Sequence, residues 1–312
     1  ERTRANERQE LLIAELNHRV RNILNLIRGL VIQSSREASS VPELTATIGD
    51  RVQALARAHD QVTEANWAPS SLADLIRTEV DAFLGAKASR VRITGPDALL
   101  VPTALNTLAL VIHELTTNSA KYGALSDSSG EIRIELERLE DDSLSLHWRE
   151  SGGPAVQAPS RVGFGTTIIQ KSIPHELSGE ANIKYLLTGL VPVFLTPARS
   201  VASYSEDEAP SIGKTAPSSA TNKTVGGITG NVLIVEDNMI IALDAEDIAL
   251  SAGAEKVFVC SSVAEAKSRI SSEDISFALL DVNLGSETSE PIAEALSENG
   301  TPFIFASGYG DS

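Results

Sequence analysis

Residues 201–229 restrict the fold of this chain more than any other stretch: they are rich in Ser, Thr, Gly, Pro and Ala and nearly empty of large apolar side chains. Such a composition buries too little apolar surface to offset its ordering entropy. It predicts a flexible linker, set at residues 199–229, with separately folded bodies on either side. A length of 312 residues agrees, since it suits two or three domains of ordinary size.

Upstream, two segments carry helical periodicity. Between residues 8 and 35, Leu12, Leu16, Val20, Ile23, Ile27 and Leu30 recur in steps of three and four, drawing one apolar stripe. A second stripe, Leu44, Ile48, Val52, Leu55 and then His59 or Val62, follows Pro42, which suits a helix's first turn. The pair predicts an α-helical hairpin over residues 1–66. Two such hairpins would bury their stripes in a four-helix-bundle homodimer; docking on a neighbouring domain is the alternative.

Residues 67–198 mix helical stretches with strand-like runs at Val91–Thr94, Ile132–Leu136, Leu144–Trp148 and from Ile183, predicting an α/β sandwich. Past the linker, residues 230–312 alternate apolar runs, Val232–Val235, Val257–Cys260, Phe277–Leu280 and Pro302–Phe305, with helical stretches. That alternation predicts a doubly wound parallel sheet of the flavodoxin-like kind.

Bulk properties narrow the function. The net charge of −16 argues against nonspecific nucleic-acid binding, which needs a basic face. No apolar run approaches the ~18 residues that span a bilayer, so no membrane span is expected. Cys260 is the single cysteine, which excludes an internal disulfide and fits a reducing, cytoplasmic compartment; it reads as a small apolar strand residue. The first ten residues form a charged helical segment without the layout of a signal peptide, so the chain is expected to begin mid-protein.

Several constellations could carry chemistry. His18 lies two residues from both Leu16 and Val20, about 200° round the helix, and so faces away from the seam. Beside Arg19, Arg21 and Asn22, an exposed imidazole can attack an anionic phosphoryl donor. Glu114, Asn118 and Lys121 are spaced to share one helix face, the mixture of carboxylate, amide and cation that Mg2+ and nucleotide phosphates want. The plainer reading is a solvated face with Glu-to-Lys pairing. In Trp148-Arg-Glu150-Ser-Gly152-Gly-Pro, the glycines allow a sharp turn against a ligand, while Trp148 also reads as a core aromatic. Gly163-Phe-Gly165-Thr166-Thr opens a helical run over Ile168–Leu177, whose free amides can receive phosphate oxygens. Glu236, Asp237 and Asp281 each follow an apolar strand, and an open parallel sheet binds ligands at those strand ends.

Glu15-Leu-Asn-His-Arg-Val-Arg-Asn22 resembles the phosphoacceptor box of histidine kinases, in the H-R-x-x-N form of the HWE family. Ile112 to Ser126 resembles the N box of the ATP-binding domain that these kinases share with certain topoisomerases and chaperones. His113, Trp148 and Glu150 supply the three letters of the family's name. The resemblance implies ATP and Mg2+ as cofactors, with His18 as phosphoacceptor in a box that includes Asn22. It further implies that Asn118 chelates Mg2+, that Lys121, with Tyr122 beside it, meets a phosphate, and that Glu114 assists the metal or the reacting groups. Glu150 would accept from the adenine amino group at the turn of Gly152, and Gly163, Gly165 and Thr166 would form the second glycine box. A short lid is expected around 155–162, without an F box.

Residues 231–312 resemble a response-regulator receiver domain. That resemblance implies Glu236 and Asp237 as metal ligands, Asp281 as phosphoacceptor and further ligand, Asn283 as a backbone-carbonyl ligand and Ser307 as the switch hydroxyl. The family also has a lysine after the next strand, whose cation meets the phosphoryl oxygens; this sequence ends at Ser312, before that position. The overall expectation is a hybrid sensor histidine kinase whose sensory domain, of bacteriophytochrome or other PAS type, lies upstream of this chain. The phosphoryl group would pass from His18 to Asp281, in the same chain or a dimer mate, or to a separate response regulator. The rival expectations are a nucleotide-binding regulatory scaffold with a weakly active kinase and an ATPase of the chaperone or topoisomerase type.

Overall fold

In the computed structural model the described residues are 27–155, 163–186, 189–202, 229–284 and 287–306. His18, Asn22, Ser307 and lid residues 156–162 fall outside them. The chain divides into two compact units, residues 39–219 and residues 1–38 together with 220–312.

In the second of these, helix α1 (27–35) precedes the linker, and its Leu30 is fully buried. The unit of residues 39–219 opens with α2 (Val41–Glu64), whose N-cap Ser40 accepts from the Glu43 amide while the Glu43 carboxylate accepts from the Ser39 amide. This exchange satisfies orphan amides at the helix start. A two-residue strand β1 (Ser70–Ser71) leads into α3 (Leu72–Leu84), capped by the Ser71 hydroxyl on the Asp74 amide. Strands β2 (Val91–Thr94) and β3 (Leu99–Leu100) come next, then α4 (Pro102–Lys121), with Pro102 in the first turn, where no amide is needed. Strands β4 (Glu131–Arg138) and β5 (Leu144–Ser151), helix α5 (Phe164–Leu177), and strands β6 (Glu180–Leu186) and β7 (Gly189–Thr196) complete it.

The main sheet runs β2-β4-β5-β7-β6, with β2 parallel to β4 and every other pair antiparallel. Period-two alternation sends Ile132, Ile134 and Leu136 of β4, and Leu144, Leu146 and Trp148 of β5, into one core. Helices cover that face, giving a two-layer α/β sandwich. Most of α4 is buried because it lies between α2, α3 and α5. The fold continues past residue 198: Leu100 bridges to Val201, which is buried.

The stripe expected on α2 is not its deepest face. Leu44, Ile48, Val52 and Leu55 are half-buried, whereas Arg51, Ala54, Ala58 and Val62 are fully buried. Two alanines let α2 approach α4 closely, and Arg51 enters the interior with them. Helix α4 is also longer toward its N-terminus than the N-box pattern suggests and ends at Lys121, so Tyr122 is its C-cap, with 74% of its surface exposed.

Across the linker, β8 (Asn231–Val235), α6 (Met239–Ser251), β9 (Lys256–Cys260), α7 (Val263–Ser272), β10 (Phe277–Leu280), the small hairpin β11 (Asn283–Leu284) and β12 (Glu287–Thr288), α8 (Glu290–Glu298) and β13 (Phe303–Phe305) follow in order. The sheet is β13-β10-β8-β9, parallel throughout. Leu233 and Val235 pack with residues of α7 and α8, while Val232 and Ile234 pack with α6 residue Ala249, so both faces are covered. This is the doubly wound arrangement expected from the alternation. Helix α1 lies on α6: Gln33 Nε2 donates to Asp247 Oδ2 at 3.1 Å, Arg36 pairs with Asp247, and Gly29 sits where a Cβ would strike Ile240.

Candidate functional site

Within residues 39–219 the candidate nucleotide site is built from α4, the end of β5 and the start of α5. Glu114, Asn118 and Lys121 descend one side of α4, and burial falls from buried through half-buried to exposed in that order. Glu114 is not free to solvent. Arg51 Nε donates to its Oε1 at 2.7 Å and Arg51 Nη2 to its Oε2 at 3.2 Å, both side chains being buried. The Asn118 carbonyl accepts from the Tyr122 and Gly123 amides at 2.8 and 3.0 Å, which ends the helix and turns the chain toward β5.

At that turn stands Glu150, 3% exposed on β5. The Ala124 amide donates to its Oε2 at 2.7 Å and the Trp148 indole N–H to its Oε1 at 3.3 Å. Burial pushes this carboxyl above its ordinary value, against the lowering effect of the Ala124, Trp148 and Ser119 hydrogen bonds. Trp148 is fully buried, a core aromatic as well as a polar partner. Gly123 is required here: a Cβ would lie 2.1 Å from Glu150 Oε2.

Gly163 is the N-cap of α5 and accepts from the Thr167 amide at 2.9 Å, and the amides of Gly165 and Thr166 belong to the first turn, which has no carbonyl partner within the helix. Gly165 faces the buried ion pair; a Cβ there would lie 2.2 Å from Glu114 Oε2. Gly152, at φ +73, takes the left-handed turn that only glycine adopts without cost.

His113, the neighbour of Glu114 and about 100° round the helix from it, faces α3. It is buried, edge-on to Phe83, with Nδ1 3.5 Å from Glu79 Oε2. Glu79 takes a fork from Arg57 at 2.7 and 2.8 Å. Burial alone would raise the Glu79 carboxyl, but the close approach of His113 and the fork and charge of Arg57 bring it below the ordinary range. Arg51, Arg57 and Glu79 were not expected as site residues, because sequence reading assigns charged helix positions to solvent.

The second cluster lies in the other unit, at the C-terminal ends of β8 and β10, where strand order reverses about β8. Glu236, Asp237 and Asp281 bring carboxylate oxygens within 4.8 Å of one another, with Glu236 buried. Glu236 Oε1 accepts from the Asn238 amide at 3.1 Å, and Asn238 caps α6 through the Ile240 and Ile241 amides. Burial and the Asp237 charge push Asp281 up to about 6. The donor set, three carboxylates with the backbone of Asn283 close by in sequence, suits a hard divalent cation.

One unit thus presents an α/β sandwich whose helix α4 is met by Glu150 just past its end and by the start of α5 at Glu114, and the other an acid-ended parallel sheet. Residues 15–97 match the family model described as HWE histidine kinase. It is 30% identical over 200 residues to a blue-light-activated histidine kinase of Brucella anthropi, a match covering 63% of this chain and 41% of the relative. The chain thus spans about two fifths of the curated relative's length. Among solved structures, it resembles the histidine kinase domain of the Erythrobacter litoralis blue-light activated histidine kinase, with 14% identity, 56% of this chain and 94% of that one covered, and a TM-score of 0.43. It also resembles the MaeR response regulator bound to beryllium trifluoride, with 21% identity, 26% and 69% covered, and a TM-score of 0.24. Among the described residues, no helix is long and apolar enough to cross a membrane.

Proposed function

We propose that this chain is the kinase and receiver portion of a two-component sensor: it transfers the γ-phosphoryl group of ATP to His18 and passes it on to an aspartate. The observations that support the reading are that Glu150 takes the Ala124 amide just past the end of α4 and that Gly165, in the first turn of α5, packs on Glu114 of α4. Asn118 and Lys121 would hold the phosphates and their Mg2+, Glu150 with Gly152 the adenine, and Gly163, Gly165 and Thr166 the phosphate oxygens. Bound Mg2+ would supply charge neutralisation for the triphosphate. In the transfer, an imidazole nitrogen of His18 bonds to the γ-phosphorus as the bond to the bridging oxygen breaks, and ADP leaves. Positioning supplies most of the rate, with Asn22 and Glu114 beside the reacting groups.

The receiver reading rests on the carboxylates Glu236, Asp237 and Asp281 at the strand ends. Glu236, Asp237 and the Asn283 carbonyl would hold Mg2+ while Asp281 takes the phosphoryl group. Helix α1, which follows His18 closely in sequence, lies on α6 of the same unit, and this favours Asp281 as one acceptor. A separate response regulator is the other acceptor, the hairpin would dimerise as a four-helix bundle, and an upstream photosensory domain would set the activity. A time course with [γ-32P]ATP and Mg2+ tests this. Acid-labile label should be lost in His18→Ala and should accumulate in Asp281→Ala; label independent of His18 would favour a nucleotide-binding scaffold.

A further inference from the structure

We infer that Arg51 is a positioning residue for the nucleotide site: from α2 it fixes both Glu114 and Phe164, so that nucleotide affinity depends on how α2 is docked. This rests on reading the sandwich as an ATP-binding domain. Arg51 is 4% exposed in the middle of α2, an unusual place for a guanidinium. Its Nε and Nη2 grip the two oxygens of Glu114, and its guanidinium carbon lies 4.9 Å from the centroid of the Phe164 ring. One side chain therefore joins three helices: α2, which carries it; α4, which carries Glu114; and α5, which begins at Phe164.

The consequence reaches the phosphate-binding end of α5. Glu114 Oε2 is packed so tightly on Gly165 that a Cβ there would lie 2.2 Å from it and 3.6 Å from Arg51 Nη2. Without Arg51, the Glu114 carboxylate would be buried and uncompensated. It would have to turn toward water or take a proton, and either change displaces it against the first turn of α5. The amides of that turn are the ones that would receive phosphate oxygens. Arg51 adds more than docking of α2. Arg57, farther along the same helix, already fastens α2 to α3 through a fork to Glu79, at a place that does not touch α5. The two arginines are thus internal controls for each other: both are anchors, and one of them contacts the nucleotide side.

The test is titration of the full chain with Mg·ADP, comparing wild type with Arg51→Met, Arg51→Lys and Arg57→Met, together with hydrogen exchange over residues 41–64. Arg51→Met should weaken ADP binding about tenfold or more and Arg51→Lys less, because a lysine restores the charge but not the fork. Arg57→Met should lower the melting temperature yet keep affinity within about twofold, as independent sites do. By reciprocity, ADP should slow exchange in residues 41–64 of the wild type and have little effect on them in Arg51→Met. Wild-type affinity in folded Arg51→Met, with exchange still slowed by ADP, would overturn the inference and leave the pair a purely structural one. If Arg51→Met fails to fold, Arg51→Lys and Phe164→Leu decide instead, and wild-type affinity in both overturns it. A wild-type chain that binds no ADP would contradict the nucleotide reading itself, a distinguishable failure.

Discussion

Trp148 donates its indole N–H to Glu150 Oε1 while the Ala124 amide holds Oε2, so two residues adjacent on one face of β5 act as a single buried unit. The ring supplies bulk to the core and its edge orients a carboxylate at the mouth of the candidate adenine site. Replacing Trp148 with Phe removes the donor and part of the volume. It should cost about 1–3 kcal/mol of stability and raise the Glu150 carboxyl further. Urea denaturation measures the first effect, and the pH dependence of ADP affinity, compared with wild type, the second.

Gly123 touches the same carboxylate from the other side. A Cβ there would meet Glu150 Oε2 at 2.1 Å and Ser119 Cα at 2.9 Å, and the second contact is backbone. Gly123→Ala should therefore displace Glu150 from the Ala124 amide, destabilise the sandwich by about 2 kcal/mol or more, and weaken ADP binding. Unchanged affinity and melting temperature would show that the turn relaxes freely.

Glu79 predicts an acid-sensitive step in stability. Its carboxyl lies below the ordinary value when folded, so the unfolded chain binds the extra proton first. The stabilisation is present above the unfolded value of about 4.3 and is lost as pH falls through the folded one. Glu79→Gln should flatten that dependence and, by leaving Arg57 and His113 without their anion, cost roughly 2–4 kcal/mol near neutrality. Chemical denaturation at pH 7 and at pH 3.5 compares the two chains.

Cys260 is buried at the end of β9, and burial pushes its thiol up to about 12. The thiolate is the reactive form, so native chain should resist alkylation by iodoacetamide at pH 8, and labelling should track opening of the parallel-sheet unit. Because Cys260 is the only cysteine, the signal is unambiguous. Rapid labelling of the folded chain would contradict the burial.

The parallel sheet was legible because its strands are continuous apolar runs, and the acids at their ends stand out against them. The sandwich strands β4 and β5 were legible through alternation, and Gly123, Gly152 and Gly165 sit at or beside motif positions where backbone or carboxylate crowds them. The ion pairs were not. Arg51 and Glu114 lie 63 residues apart, and nothing local distinguishes a helix arginine that turns inward from one that is solvated. The deep face of α2 escaped for a related reason: Ala54 and Ala58 are weak marks of burial, while Ile48 and Leu55 draw the eye to a face that is only half-covered.

The central claim is a phosphoryl group on His18 delivered by ATP, and 31P NMR of the chain after incubation with Mg·ATP tests it most directly. The account predicts a phosphoramidate resonance that is lost on acidification and absent from His18→Gln. A chain that binds ATP but shows no such resonance, or a resonance that persists in His18→Gln, would contradict it.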